Sequence, residues 1–521
     1  TKYTKRINDE MVIIIFLIMR SKLSKICNMM LQLRYLNMVV NCNEGTLNTY
    51  VPSQSNPWNV SKVLFLFRRI GFSIKFSEIK DYLNIAPSDL IDQIFLEAVN
   101  KPITPDPGWA NFDNGDFNNS GKNRGAFFRD HQKIVFEDFL NNGFRERLTL
   151  FWSNHFVTEY YMYNHPAYTF RYYNNLQKYA LGNFKEFVRI IGLDDAMLMY
   201  LNGYENKNNA PNENYSRELY ELFTLGEGNG YTQDDITETA RALTGYNSRT
   251  NGGPISFNVN RFDDGEKTIF GRTGNWGYDD VIEILFEEKT GLIADFICRK
   301  IYKHFVSPVI KEDIILELSN YFIQNNFELL PLFKKLFKSE HFFHSSASNV
   351  IIKSPIDLMV FIEKEFDFIK PNNFTNTLTN YLRAKTMDMG QQILNPIDVA
   401  GWQENHDWIS SGTLPMRWEF GDYLLNRYYA GNKEQFKTLL KVMIGENNDD
   451  PVSIVKTVKE YLFCDYEIMN DELNDAISIF KSDVPENYFN GGGWTVNDST
   501  VPKQFYDLLR FFITLPEFQL K

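Results

Sequence analysis

A mainly α fold, a large multi-helix globular body with long Gly/Asn-rich loops, is what this 521-residue sequence predicts. Three observations lead there. Beyond Lys62, apolar residues recur at i, i+3, i+4 and i+7 in most segments, the spacing that lines one face of an α-helix. The strict alternation expected of a half-buried strand is rare. The composition, 43% hydrophobic and 23% charged with 30 Gly and 19 Pro, suits a chain that buries a large core and excludes collagen-like, coiled-coil and wholly disordered classes.

In chain order, the start stands apart. Residues 11–19 (MVIIIFLIM) are an apolar run followed at once by Arg20, Lys22 and Lys25. That run is too short to span a bilayer, which needs about twenty residues, and its basic residues follow the apolar stretch where a secretory signal would have them precede it. Residues 1–50 are expected to be an unstructured or artefactual extension ahead of a start near Met30 or Met38, the other reading being a weak anchor. Residues 51–521 form the expected helical domain. With no convincing signal peptide, a cytoplasmic location is favoured over a periplasmic one. No later segment has a run of ~18 apolar residues, so no transmembrane span is expected.

The first helix is signalled by Val63, Leu66, Phe67 and Ile70, with Gly71 to end it. The same periodicity marks 88–99, 132–142, 145–158, 168–181, 183–191, 212–225 and 233–244, then 279–286, 291–305, 311–325, 328–338, 354–368, 376–387, 415–429, 433–444, 452–464, 470–481 and 502–513. Gly/Asn-rich loops are expected at 106–125, 202–211, 247–260, 271–278 and 486–499. The longest irregular stretch, 395–413, is dense in aromatics.

A net charge of -12 without a basic stripe leaves phosphate-backbone binding no electrostatic drive, so nucleic acid is not an expected partner. Cys27, Cys42, Cys298 and Cys464 contain no C-x-x-C pair and are too sparse for a disulfide framework or a thiolate zinc site.

Chemistry has four candidate places. In 212–226 (NENYSRELYELFTLG), Tyr215, Leu219, Leu222 and Phe223 share an apolar face, while Asn214, Arg217, Glu218 and Glu221 form a polar stripe about 135° away. That stripe suits a metal or a general acid/base; the plainer alternative is a solvated face of Glu213–Arg217 and Arg217–Glu221 pairs. Gly226-Glu-Gly-Asn-Gly230 follows a helix and lacks the Lys-Ser/Thr of a phosphate loop, so it reads as a turn into a helix capped by Thr232 and Asp235. The two helices are expected to pack as an antiparallel hairpin. In 148–158 (LTLFWSNHFVT), His155 lies one turn from Trp152 with Glu159 at i+4; a core histidine is the alternative reading. In FDDGEKTIFG, Asp263 and Asp264 could meet a hard cation or simply cap their own turn. Trp276, Trp402 and Trp408 would suit sugar stacking if exposed. His341 and His344 make no diagnostic metal signature, and hydrolase-elbow and kinase motifs are absent, so metal and cofactor stay unassigned.

Six blocks, LTLFWSNHFVT (148–158), NENYSRELYELFTLG (212–226), YTQDDITETARALTGY (231–246), DDGEKTIFG (263–271), IIKSPIDLMV (351–360) and MGQQILNPIDVAGW (389–402) with TLPMRW (413–418), resemble in order the bacterial family called domain of unknown function 1800. RRIGFS at 68–73 is similar to its opening helix end. Phe262 stands where that family often has His, and Pro396-Ile397 where it has Pro-Pro. The resemblance implies a mainly helical protein with no settled activity, often encoded beside an exported sulfatase-like protein of the domain of unknown function 1501 family. It also favours a buried polar network at Asn214, Arg217, Glu218 and Glu221. The leading expectation is a central polar pocket of His155, Asn214, Arg217, Glu218 and Glu221 with Arg241 and Asp263 nearby, binding a small ligand or metal and potentially hydrolytic through His155, Glu218 or Glu221. The alternatives are a non-catalytic partner or chaperone of the neighbouring protein, and a glycan-binding protein.

Overall fold

The computed structural model describes residues 44–371, 374–464, 466 and 468–521. The apolar run at 11–19, Cys27, Cys42 and most of the expected 1–50 extension lie outside them. Helices succeed one another from Val60 to Phe512. Apart from isolated bridges, the β structure among the described residues is one antiparallel hairpin, Lys267–Ile269 with Arg272–Gly274. The fold is mainly α, and none of the described helices is long and apolar enough to cross a membrane.

Local chemistry accounts for the helix ends. Helix Val60–Ile70 opens on Asn59, whose side chain accepts the Lys62 N–H, and closes at Gly71, whose N–H donates to the Phe67 carbonyl. Its Val63, Leu64, Leu66 and Ile70 have no solvent exposure. Helix Pro355–Phe366 starts with proline in its first turn and a reciprocal Ser354–Asp357 capping box. It is buried nearly all round, the signature of a helix at the centre of a body. The aromatic surplus fills the core. Trp152 is fully buried, donates from Nε1 to the Ala180 carbonyl at 3.0 Å, and packs edge-on to Phe187 with ring centroids 5.3 Å apart. Truncating such a side chain to alanine costs about 3–5 kcal/mol.

The 212–226 segment departs from a uniform α-helix. It is α over Asn214–Glu218 and π over Leu219–Thr224, where the Leu225 N–H reaches back five residues to the Tyr220 carbonyl at 2.8 Å. The Thr224 hydroxyl takes the Leu219 carbonyl and stabilises the wider turn. Gly226, at φ +96°, ends it in the left-handed region. Helix Gln233–Ala242 follows, opened by the expected Thr232–Asp235 capping box, and packs on the first through Tyr220 and Thr239.

The loop expected at 271–278 begins instead as a paired strand. Its two-residue turn, Phe270–Gly271, has φ of 49° and 80°, a geometry that Asn-Gly usually announces. Phenylalanine hides that signal, and the Phe270 N–H is held by Asp235 Oδ1 at 2.7 Å.

Candidate functional site

Several of the sequence blocks converge on a buried polar hub. Arg147, from helix Phe144–His155, pairs with Asp357, whose other oxygen takes Lys521 Nζ at 2.6 Å. Arg147 also donates to the Gly71 carbonyl at 2.9 and 2.7 Å and lies 4.1 Å from the Phe72 ring centroid. Arg69 binds the carbonyls of Phe305, Val306 and Lys521, and Arg417 binds Gln519 and the Lys353 carbonyl. Arg68 forms a fork with Glu365 at 2.6 and 2.9 Å. Burial alone would raise the Asp357 carboxyl, but the charges of Arg147 and Lys521 overbalance it and hold Asp357 well below the carboxylate range. Asp357 and Glu365 are each paired with a cation, and Arg69 and Arg417 are held by carbonyl and amide oxygens of distant segments, so the hub is a device of the fold.

Beside it opens a cleft of about 690 Å³, bounded by the end of helix Phe144–His155, the π turn, helix Thr290–Phe305 and the 400–404 segment. The Asn154 amide clamps that segment: Oδ1 accepts the Trp402 N–H at 2.7 Å and Nδ2 donates to the Trp402 carbonyl at 3.0 Å. The approach is so close that a Cβ on Gly401, at φ +76°, would lie 2.4 Å from Asn154 Oδ1. Three residues on, Glu404 has φ 63° and ψ -179°, a region that side-chain-bearing residues seldom enter. The strained backbone delivers its carboxylate to His304, whose Nδ1 lies 3.0 Å from both oxygens. A carboxylate only accepts, so Nδ1 carries a proton, while Nε2 is buried with no hydrogen-bond partner among the described residues. His304 also lines a second, enclosed space of about 30 Å³, room for a water or two.

Lys300 lies on the opposite wall of the cleft. Its Nζ is 3.2 Å from His155 Nδ1 and donates to the Leu222 carbonyl at 3.2 Å. His155 Nε2 meets the Phe223 carbonyl at 3.1 Å, so the proton sits on Nε2 and Nδ1 accepts from Lys300. Burial, with the Lys300 charge adding to it, holds the His155 pKa well below its ordinary value, so the ring is neutral. Burial likewise pushes the Lys300 ammonium down to about 8, Glu404 opposing and Lys303 reinforcing the shift. Among the described residues, neither Lys300 nor Lys303 has a carboxylate within ion-pair distance.

The expected site residues fall in three places. His155 and Glu221 line the cleft. Arg217 holds both i,i+4 pairs at the surface, Glu213 at 3.0 Å and Glu221 at 3.3 Å, while Asn214 is exposed. Glu218 is half-buried with no ion pair, and burial first, then the Glu221 charge, raises its carboxyl. Arg241 lies outside the cleft, with Nε 2.8 Å from Asp263, Nη1 2.9 Å from both Glu238 oxygens and a third bond to the Glu266 carbonyl. Asp263 also caps Gly265 at 3.0 Å, which leaves it a turn residue clamped by arginine. No group of three or more His, Cys, Asp or Glu placed to hold a metal occurs among the described residues. Of the three tryptophans considered for sugar stacking, Trp402 and Trp408 are 7% and 5% exposed, so neither offers an open ring face, and Trp276 is partly covered with Nε1 bonded to the Arg272 carbonyl.

Lys300, His304 and Glu404 escaped the sequence reading. The i,i+4 spacing of Lys300 and His304 within CRKIYKHF was the available signal. No curated protein and no solved structure matches the chain. The sequence model of the family described as protein of unknown function DUF1800 matches residues 65–520, nearly the whole length, and the protein belongs to that family.

Proposed function

We propose that the cleft binds a small anionic ligand, with Lys300 and Lys303 as its cationic floor and the His304–Glu404 pair as its proton-transfer group. The observation that carries this reading is the pair of lysines one turn apart on helix Thr290–Phe305, facing a cleft lined by Glu221, Glu227 and Glu404, none of them within ion-pair distance of either lysine. A basic group left without a counter-ion in a partly desolvated site is stabilised by an anion that enters. The His304 orientation supports the second half: a carboxylate that fixes Nδ1–H leaves Nε2 able to take a proton, the arrangement that hydrolytic general bases use.

The test is thermal unfolding and titration calorimetry with inorganic phosphate, pyrophosphate and small dicarboxylates. At least one is expected to bind and raise the melting temperature, and Lys300→Gln/Lys303→Gln is expected to abolish both effects. Equal responses in wild type and double variant would sink the reading and return weight to a non-catalytic partner of a neighbouring exported protein.

A further inference from the structure

We propose that Lys300 forms a covalent imine with an aldehyde or ketone that also carries an anionic group, the anion resting on Lys303. This rests on the anion-binding reading of the cleft and names its substrate class. The Lys300 amine is surrounded by neutral acceptors: His155 Nδ1 at 3.2 Å, the Leu222 carbonyl at 3.2 Å and the Phe296 ring at 4.9 Å. Lys521, by contrast, is matched by Asp357, while the buried Lys353 is held by the Phe518 carbonyl and does not line this cleft. Lys300 is instead aimed into an open space by groups that leave its lone pair obtainable. Burial supports this: with the ammonium pushed down to about 8, roughly a quarter of the side chain is free amine at pH 7.5, against about one part in a thousand for an ordinary lysine.

The step balances without a further reactant. The amine nitrogen adds to the carbonyl carbon and the C=O π pair moves to oxygen. That oxygen leaves as water with two of the three ammonium protons, and the C=N⁺ bond keeps the third. The remaining N–H⁺ then has the same two acceptors, His155 Nδ1 and the Leu222 carbonyl. The C-terminal end of the π turn, negative through its free carbonyls, favours the cation that forms. His155 acts as a positioning residue: pinned to the Phe223 carbonyl, it accepts from Lys300 without adding a charge.

The experiment uses pyridoxal 5′-phosphate, an aldehyde bearing an anion, at one equivalent with borohydride, followed by peptide mapping. Lys300 is expected to carry at least roughly ten times the adduct of any exposed lysine, well within the about two-hundredfold difference in free-amine fraction. Pyridoxine 5′-phosphate, which lacks the aldehyde, is expected to raise the melting temperature and protect Lys300. Lys300→Arg, which keeps the cation, is expected to retain the thermal response and lose the adduct. Adduct spread evenly over exposed lysines, with the pyridoxine 5′-phosphate response intact, would overturn the imine and leave the anion site standing. Absence of both thermal response and protection would overturn the anion site itself, even with Lys300 labelled.

Discussion

On one side of the wall formed by Asn154, Trp402 and the His304–Glu404 pair, Arg147 and Lys521 close on Asp357; on the other, Lys300 and Lys303 face a cleft with no carboxylate of their own. Both clusters are basic; the hub is wholly removed from water, Lys300 partly, and Lys303 is exposed. They differ in who supplies the negative charge. In the hub the chain supplies it, and the result is cohesion. In the cleft Glu221, Glu227 and Glu404 line the walls but none pairs with Lys300 or Lys303, which is why the cleft and not the hub is the candidate site, although the hub has the more perturbed groups.

The comparison breaks first, and hardest, at Asp357. Asp357→Asn leaves Arg147 and Lys521 buried without a counter-charge and is expected to cost about 3–5 kcal/mol in chemical denaturation. The sign with pH follows from the lowered Asp357 carboxyl. Between its folded value and the ordinary value near 4, the unfolded chain binds the extra proton, so the stabilisation is complete above about pH 5 and is lost as pH falls. The variant should therefore show a flatter acid limb; a loss independent of pH would mean that Asp357 acts through packing.

Next in size is the wall. Gly401→Ala places a methyl group against Asn154 in a left-handed backbone and is expected to cost about 1–3 kcal/mol, and to weaken anion binding because Glu404 shifts with the segment. Unchanged binding in a destabilised variant would separate the clamp from the cleft.

Smaller and opposite in sign is Lys300→Met, expected to stabilise the unliganded protein by about 1 kcal/mol at neutral pH, since it removes a desolvated ammonium without a carboxylate. Here the folded value, about 8, lies below the ordinary lysine value. The ammonium's cost is complete below pH 8 and relieved as pH rises toward 10.5, so the difference between variant and wild type should shrink over that window. Destabilisation by this change would assign Lys300 to the fold.

The smallest effects belong to the surface stripe. Glu218→Gln is expected to change stability by less than about 1 kcal/mol, because no arginine is left unpaired by it, and Arg217→Ala by a few tenths, the usual worth of exposed i,i+4 pairs. A loss of several kcal/mol at Glu218 would show that the stripe is a buried network after all.

How far the sequence revealed this follows from the range of each interaction. Helix Val60–Ile70 and the Thr232–Asp235 cap are local: spacing and a side chain three residues away suffice, so they were legible. The Arg217 pairs were legible for the same reason. His155 was legible as a position but not in its role, because its partner Lys300 is 145 residues away. The stretch 395–413 was legible as irregular, yet the backbone turn that aims Glu404 depends on Asn154, 250 residues before it. That Lys300 faces a cleft without a paired carboxylate cannot be seen in a one-dimensional pattern at all.

The hub also sets the order in which the chain can mature. Arg69 is satisfied by the carbonyl of Lys521, 452 residues on, and Arg68 by that of Leu462, 394 residues on. A nascent chain that has exposed its first helices thus carries two guanidinium groups whose acceptors do not yet exist, and closing loops of that length is slow. Docking of the early helix therefore waits on segments made much later, and until they arrive its apolar face is left uncovered.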